Sequence, residues 1–284
     1  MLCRFGPAGN SPAFYKSGGK SSLEVPQWLY NLGLSAYEYQ CGRGVKTGEE
    51  TAKLIGINAE KYGIALSIHA PYYINLCTPE KDKLQKSKNH LLKSMQLAKW
   101  MKADLVVFHP GSVGSLDRKD AFKNAARALE DLLINEVPKW GLDGIKISPE
   151  TMGRKSQFGS LDEVIELCKI FNLVPTIDFA HIHALGQGLL KTKDDFNRIF
   201  EKVESNLGYD VLKNLHIHFS QIEFTASGEK RHWSMREEGF GPDFSLLAPL
   251  LIEKDLEATI ICESADRQVE DALVYKSIYD HLKN

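Results

Sequence analysis

The chain has 284 residues with a formal charge of −2 at pH 7, and its pI near 6.5 gives no global attraction to nucleic acid, so any DNA contact needs a locally basic face. Apolar residues make up 43% and charged residues 25%, the proportions of a globular protein, and no run reaches the ~18 consecutive apolar residues of a membrane span. Five widely spaced cysteines (Cys3, Cys41, Cys77, Cys168, Cys262) without a Cys-x-x-Cys pair argue against a disulfide framework and a zinc ribbon and read as reduced thiols.

In chain order, the opening MLCRFGPAGNSP lacks a basic segment followed by an apolar one, so it does not read as a secretory signal and the expected location is the cytoplasm. Beyond it, apolar strand-like runs alternate with longer amphipathic stretches, the pattern of repeated βα units around a parallel sheet. Strands are predicted near 2–5, 34–39, 64–68, 104–108, 144–149, 173–177, 213–219 and 258–262. Helices are predicted near 22–32, 47–62, 82–102, 118–137, 160–171, 192–206, 244–253 and 267–282. The helix over 121–137 shows the period best, with Phe122, Ala125, Ala126, Leu129, Leu132 and Leu133 on one face. Eight such units make a single-domain (β/α)8 TIM barrel over residues 1–284, slightly longer than is typical for that fold. Irregular segments are expected at 6–21, 109–117, 151–159, 182–191 and 220–243. Loops on the strand C-terminal face are where a barrel carries its function.

Six strands end in a potential metal ligand: LSIHAP at His69, VVFHPGS at His109, IKISPET at Glu150, VPTIDFAH at Asp178 and His181, LHIHFS at His218, and TIICES at Glu263. A lone strand-end His or Glu is more often a packed polar residue than a ligand. Six together point to one site, because a closed parallel barrel opens all its strand C-termini on a single face. Imidazole nitrogens and carboxylate oxygens suit zinc, and a carboxylate can bridge two ions. His69, His109 and Glu150 would surround one ion; Asp178, His218 and Glu263, with Glu150, a second; His181 and His232 would reach a third. His216 has the same strand parity as His218 but lies deeper, which favours packing inside the barrel; it stays open as the alternative ligand, as does His183 for His181. His90 and His281 fall on helices and read as solvated.

These motifs resemble endonuclease IV, the zinc-dependent apurinic/apyrimidinic endonuclease family, within the xylose isomerase-like barrel superfamily. The resemblance rests on His69-Ala-Pro-Tyr72, Phe108-His109-Pro-Gly-Ser112, Pro149-Glu150-Thr, Ile177-Asp178-Phe-Ala-His181, Arg231-His232 and Cys262-Glu263, in order along almost the whole chain. It implies a barrel with three zinc ions, acting as a monomer on double-stranded DNA and cutting 5′ to an abasic site. It also implies that His69 and His109 ligate the first zinc, that Glu150 bridges to the second, and that Asp178, His218 and Glu263 complete the second. His181 and His232 would hold the third.

Two departures stand out. The family's seventh loop usually carries Asp-Arg-His, with Asp and His both on the third zinc, whereas this chain reads Gly228-Glu-Lys-Arg231-His232, with Lys230 or a deletion at the Asp position. Glu229 can rotate in as a substitute; a two-histidine site would be weaker and more easily lost. The other is His218-Phe-Ser-Gln221 in place of the family's His, any residue, Asn, Asp.

Phosphodiester hydrolysis needs a strong nucleophile and stabilised charge on the phosphoryl oxygens, and a metal cluster provides both. Glu150 and Glu263 are the expected catalytic carboxylates, Glu263 also as an acceptor of the water proton. Arg43, in the loop after the second strand, resembles the family's minor-groove loop, and Tyr72 an aromatic beside the lesion. Arg154, Lys155 and Arg231 are expected at phosphates. A single-manganese sugar isomerase or epimerase would need only Glu150, Asp178, His218 and Glu263, and a non-catalytic binder of damaged DNA would follow from an impaired third site.

Overall fold

In a computed structural model that describes residues 2–283, eight parallel strands close into a barrel ringed by helices. The strands are β1 (Arg4–Pro7), β2 (Ala36–Gln40), β3 (Ala65–His69), β4 (Leu105–Phe108), β5 (Ile147–Pro149), β6 (Thr176–Asp178), β7 (His216–Phe219) and β8 (Thr259–Cys262). Two four-stranded ladders, β2-β3-β4-β5 and β6-β7-β8-β1, are joined at two seams. At one, Ala8 bridges Glu38 and the Ser35 N–H donates to the Phe5 carbonyl; at the other, Glu150 bridges Thr176. Gly6 is required at the first seam: a Cβ there would lie 1.7 Å from the Ala36 carbonyl oxygen.

All eight expected strands form, shifted by up to three residues, and the helical ring follows the expected order. The helix expected over 118–137 changes to a wider turn at Leu132–Glu136 before a short tight helix at Pro138–Trp140. Expected irregular segments also carry structure. Pro12–Lys16 and Phe179–Leu185 are short helices, Gly111–Ser112 pairs with Gln157–Phe158, and Gln221–Thr225 with Gly228–Trp233 forms an antiparallel hairpin. All five cysteines are free and buried. No helix among the described residues is long and apolar enough to cross a membrane.

The outward residues of the strands pack under the helices in one apolar layer that includes Tyr37, Ile68, Phe108, Ile177, Phe219 and Ile260. The alternate residues turn inward, and several are polar: Glu38, Ser67, Ser148, Thr176 and His216 are all buried. Interiors of such barrels are usually filled by branched apolar side chains. The hydrogen bonds of this polar interior, Ser148 Oγ with Thr176 Oγ1 at 2.7 Å and Ser67 Oγ to Glu38 Oε2 at 2.9 Å, satisfy groups that would otherwise destabilise the fold.

Candidate metal centre

Each ligand candidate is placed by a strand end. His69 is the last residue of β3, His109 and Glu150 directly follow β4 and β5, Asp178 closes β6, His218 lies in β7, and Glu263 follows β8. Asp178 also caps the helix Phe179–Leu185, accepting the His181 N–H through Oδ1 at 2.7 Å. The cap fixes the Asp-x-x-His spacing and leaves Asp178 Oδ2 turned inward, 3.3 Å from His181 Nδ1.

The donors converge. Glu150 Oε2 lies 3.2 Å from His69 Nε2 and 3.1 Å from His109 Nε2, while Oε1 lies 3.3 Å from His218 Nδ1 and 3.2 Å from His181 Nδ1. His218 Nδ1 is 3.5 Å from Glu263 Oε1. Three of the clustered groups have donor atoms within 4.8 Å of one another: His69, His109 and Glu150; Glu150, Asp178, His218 and Glu263; and Asp178, His181 and His232. Glu150 Oε1, Asp178 Oδ2 and His218 Nδ1 are buried atoms without a hydrogen-bond partner. Buried carboxylate oxygens and an imidazole nitrogen left facing one another in this way suit divalent cations, and the donor set fits zinc.

The other nitrogen of most of these histidines is anchored, as metal-ligating histidines usually are. His69 Nδ1–H donates to the Ala70 carbonyl at 2.7 Å and His181 Nδ1–H to the Thr151 carbonyl at 2.9 Å. His232 Nδ1 is hydrogen-bonded to Ser220 Oγ at 2.7 Å, so the Ser that departs from the family pattern has a function here.

The third group gains a carboxylate. Glu229 Oε2 lies 3.6 Å from His181 Nε2, and Oε1 lies 3.9 Å from His232 Nε2. In a regular strand Glu229 and His232 would face opposite sides. The hairpin register shifts between Glu223, paired with Arg231, and Phe224, paired with Glu229, so Lys230 is an extra residue. That bulge restores the parity that the sequence spacing breaks. Lys230 points away, to Glu223 Oε1 at 2.6 Å, so it does not occupy the position of the missing ligand. The Glu229 N–H donates to the Gly153 carbonyl at 2.8 Å, and a Cβ on Gly153 would meet Glu229 Cβ at 2.8 Å and His181 Cδ2 at 2.9 Å. Two glycines, Gly153 and Gly228, therefore allow the hairpin to dock beside the centre.

Charges in the metal-free set balance one another. Burial disfavours the charged form of His69, but its bond to Glu150 outweighs burial and holds it at about 9. His181 and His218 are likewise held up against burial, by Asp178 and Glu150 and by Glu38 and Glu263. Burial pushes Asp178 up to about 6 and raises Glu263. Burial would also raise Glu229, yet His181, His232 and Arg154 hold it below the usual range.

The centre floors a cleft of about 330 Å³ lined by Gln40, Tyr72, His109, Arg154, Glu229 and Glu263 among others. Tyr72 is 59% exposed at its edge, against Tyr73. Arg154 lines it and reaches Glu229 Oε1 at 3.4 Å. Arg43 and Lys155 are exposed on flanking loops, and Arg231 stacks 4.1 Å over the Trp233 ring. His216 is not among the clustered donors; its Nε2 binds Glu38 Oε2 at 2.9 Å, deeper in the barrel. His183 accepts the Leu190 N–H at 3.2 Å and packs on Phe224, apart from the cluster. His90, expected to be solvated, is half-buried against Tyr73. The buried carboxylate of Glu38 has no counterpart among the expected ligands, because it lies inside a strand and not at its end. The alternation of AYEYQ, with Tyr37 and Tyr39 outward, is the signal that points to it.

Comparison with known proteins places residues 26–284 under the model of the xylose isomerase-like TIM barrel family. An uncharacterized protein of Methanocaldococcus jannaschii is 34% identical over 257 residues, 89% of this chain and 90% of that one. The probable endonuclease 4 of Staphylococcus carnosus is 28% identical over 205 residues, 69% of this chain and 62% of that protein's length. Among solved structures, endonuclease IV from Thermus thermophilus aligns with a TM-score of 0.72 at 18% identity over 98% of this chain and 99% of that one. A D-tagatose 3-epimerase-like protein aligns at 0.69 and 18%, over 98% and 96%. At these identities the two structures speak for the fold alone.

Proposed function

The chain belongs to the xylose isomerase-like TIM barrel family, and within it we propose a zinc-dependent DNA repair endonuclease that hydrolyses the phosphodiester bond 5′ to abasic sites. One observation carries the reading. Ligand groups flank the Glu150, Asp178, His218 and Glu263 set on both sides, His69 with His109 on one and His181 with Glu229 and His232 on the other. A single-metal isomerase or epimerase has use for the central set alone. The relationship to a probable endonuclease 4 supports the same choice.

Zinc bound by these residues would supply hydroxide near neutrality, since it lowers the pKa of water from 15.7 to about 7, and positive charge for the phosphoryl oxygens. Glu150 fits the bridging role because its two oxygens face different histidines. Glu263 opens to the cleft, where its carboxylate would accept a proton from the attacking water. Arg154, which lines the cleft, would meet a phosphate, and Arg43, Lys155 and Arg231 on the surrounding surface would meet the backbone of double-stranded DNA. Tyr72 offers an exposed ring beside an extrahelical nucleotide. Extrusion costs a few kcal/mol, least where the base is absent, which favours abasic lesions.

The test is a labelled duplex with one abasic analogue, incubated with zinc-loaded and metal-stripped protein. Zinc-dependent incision 5′ to the lesion, leaving a 3′-hydroxyl, is expected. An uncut duplex with protein verified to hold zinc would refute the nuclease. Epimerisation of a ketose by the manganese-loaded protein would then identify the isomerase reading, and tight binding of the duplex the non-catalytic one.

A further inference from the structure

Beneath the ligand layer, Glu38 is fully buried in the middle of β2, where an unpaired carboxylate would strongly destabilise the fold. It lies close enough to His69, His218 and Glu263 to look like a fourth-site ligand. Its hydrogen bonds argue otherwise. Oε2 accepts from Ser67 Oγ at 2.9 Å and His216 Nε2 at 2.9 Å, and Oε1 from Gln40 Nε2 at 3.1 Å. His218 Nε2 lies 3.1 Å from Oε1 and 3.2 Å from Oε2. Four donors occupy the carboxylate, and three of them, on β2, β3 and β7, hold it aimed at His218.

We propose that Glu38 is the positioning residue of the central metal site: by accepting the Nε2–H of His218 it fixes the tautomer whose Nδ1 would serve a cation held together with Glu150 and Glu263. His69 is anchored through a neutral carbonyl and His232 through a hydroxyl, whereas the anchoring nitrogen of His218 is held by a buried carboxylate below the ligand layer. A carboxylate behind an imidazole makes the ligand nitrogen a stronger donor and locks the ring orientation. Its charge also favours a cation above it in a low-dielectric interior. The same contact explains His216: it is a donor that steadies Glu38, not a competing ligand.

The inference rests on the metal reading of the site, not on the substrate. Glu38→Gln keeps the shape and an accepting oxygen but loses the charge; Glu38→Ala loses both. Zinc affinity, measured by chelator competition on the full chain, is expected to fall about tenfold in Glu38→Gln and about a hundredfold in Glu38→Ala, and only for the ion that His218 ligates. The imidazole 15N spectrum of the zinc-loaded parent should show His218 protonated at Nε2, with that proton exposed to exchange in Glu38→Ala. Circular dichroism of Glu38→Gln checks that the barrel is intact. Parent-like affinity and an unchanged His218 signal in a folded Glu38→Gln would overturn the proposal. So would zinc bound directly to Glu38 in anomalous diffraction. A parent that takes up no zinc refutes the metal reading itself, and with it this inference.

Discussion

Replacing Glu229 by Ala isolates the carboxylate that the bulged hairpin returns to the third ligand group. Its oxygens lie 3.6 Å from His181 Nε2 and 3.9 Å from His232 Nε2. At ~4 Å and an effective dielectric near 20, a unit charge pair is worth about 4 kcal/mol. Relief of burying Glu229 offsets part of that, and each 1.4 kcal/mol is tenfold. Third-site zinc is therefore expected to weaken by about a hundredfold to a thousandfold, with the other ions held nearly as in the parent. Elemental analysis after dialysis against a buffered zinc concentration reads this as a drop from three ions per chain to two. Deleting Lys230 is the companion test, since it gives a regular Glu-Arg-His spacing that leaves Glu229 and His232 on one face. Lys230→Asp should add nothing, because position 230 faces Glu223. Three ions in Glu229→Ala at parental affinity would refute the reasoning.

Glu150→Gln should abolish metal-dependent cleavage by removing the bridging charge, and retained cutting would reject that role. Gly153→Ala should cut third-site occupancy at least tenfold with little effect on the fold, because the new methyl would press on Glu229 and His181; elemental analysis and a thermal melt separate the two effects. The metal-free protein should lose stability with rising pH. His69 stands at about 9, above its ordinary 6.5, because Glu150 outweighs burial. Its contribution, about 3 kcal/mol at most, is fully present below pH 6.5 and lost as pH rises through 9. His181 and His218 act in the same direction, and His232, lowered by burial, acts only below 6.5. Zinc takes the place of these protons, so calorimetric midpoints should fall between pH 6.5 and 9 for stripped protein and hold for loaded protein. Parallel behaviour of the two would contradict the ligand assignment.

The βα alternation and the convergence of the strand-end ligand candidates were legible in the sequence because both follow from local periodicity and from the geometry of a closed barrel. His69, His109, Glu150, Asp178, His218 and Glu263 all face one point because each sits at or beside the end of a strand. Glu229 was harder to place, since its spacing from His232 has the wrong parity for a strand and only the bulge at Lys230 corrects it. A bulge depends on docking against Gly153, a contact between segments far apart in sequence. Glu38 was hidden for a different reason. The alternation of AYEYQ turns it inward, but the partners that give it a role, His216, His218 and Ser67, come from strands far apart in sequence.

Anomalous diffraction from crystals of the zinc-loaded protein tests the central claim most directly. Three peaks are expected: between His69, His109 and Glu150; between Glu150, Asp178, His218 and Glu263; and between His181, Glu229 and His232. A single peak within the central set, with no density at the flanking groups in saturating zinc, would contradict the account and favour the single-metal chemistry of an isomerase.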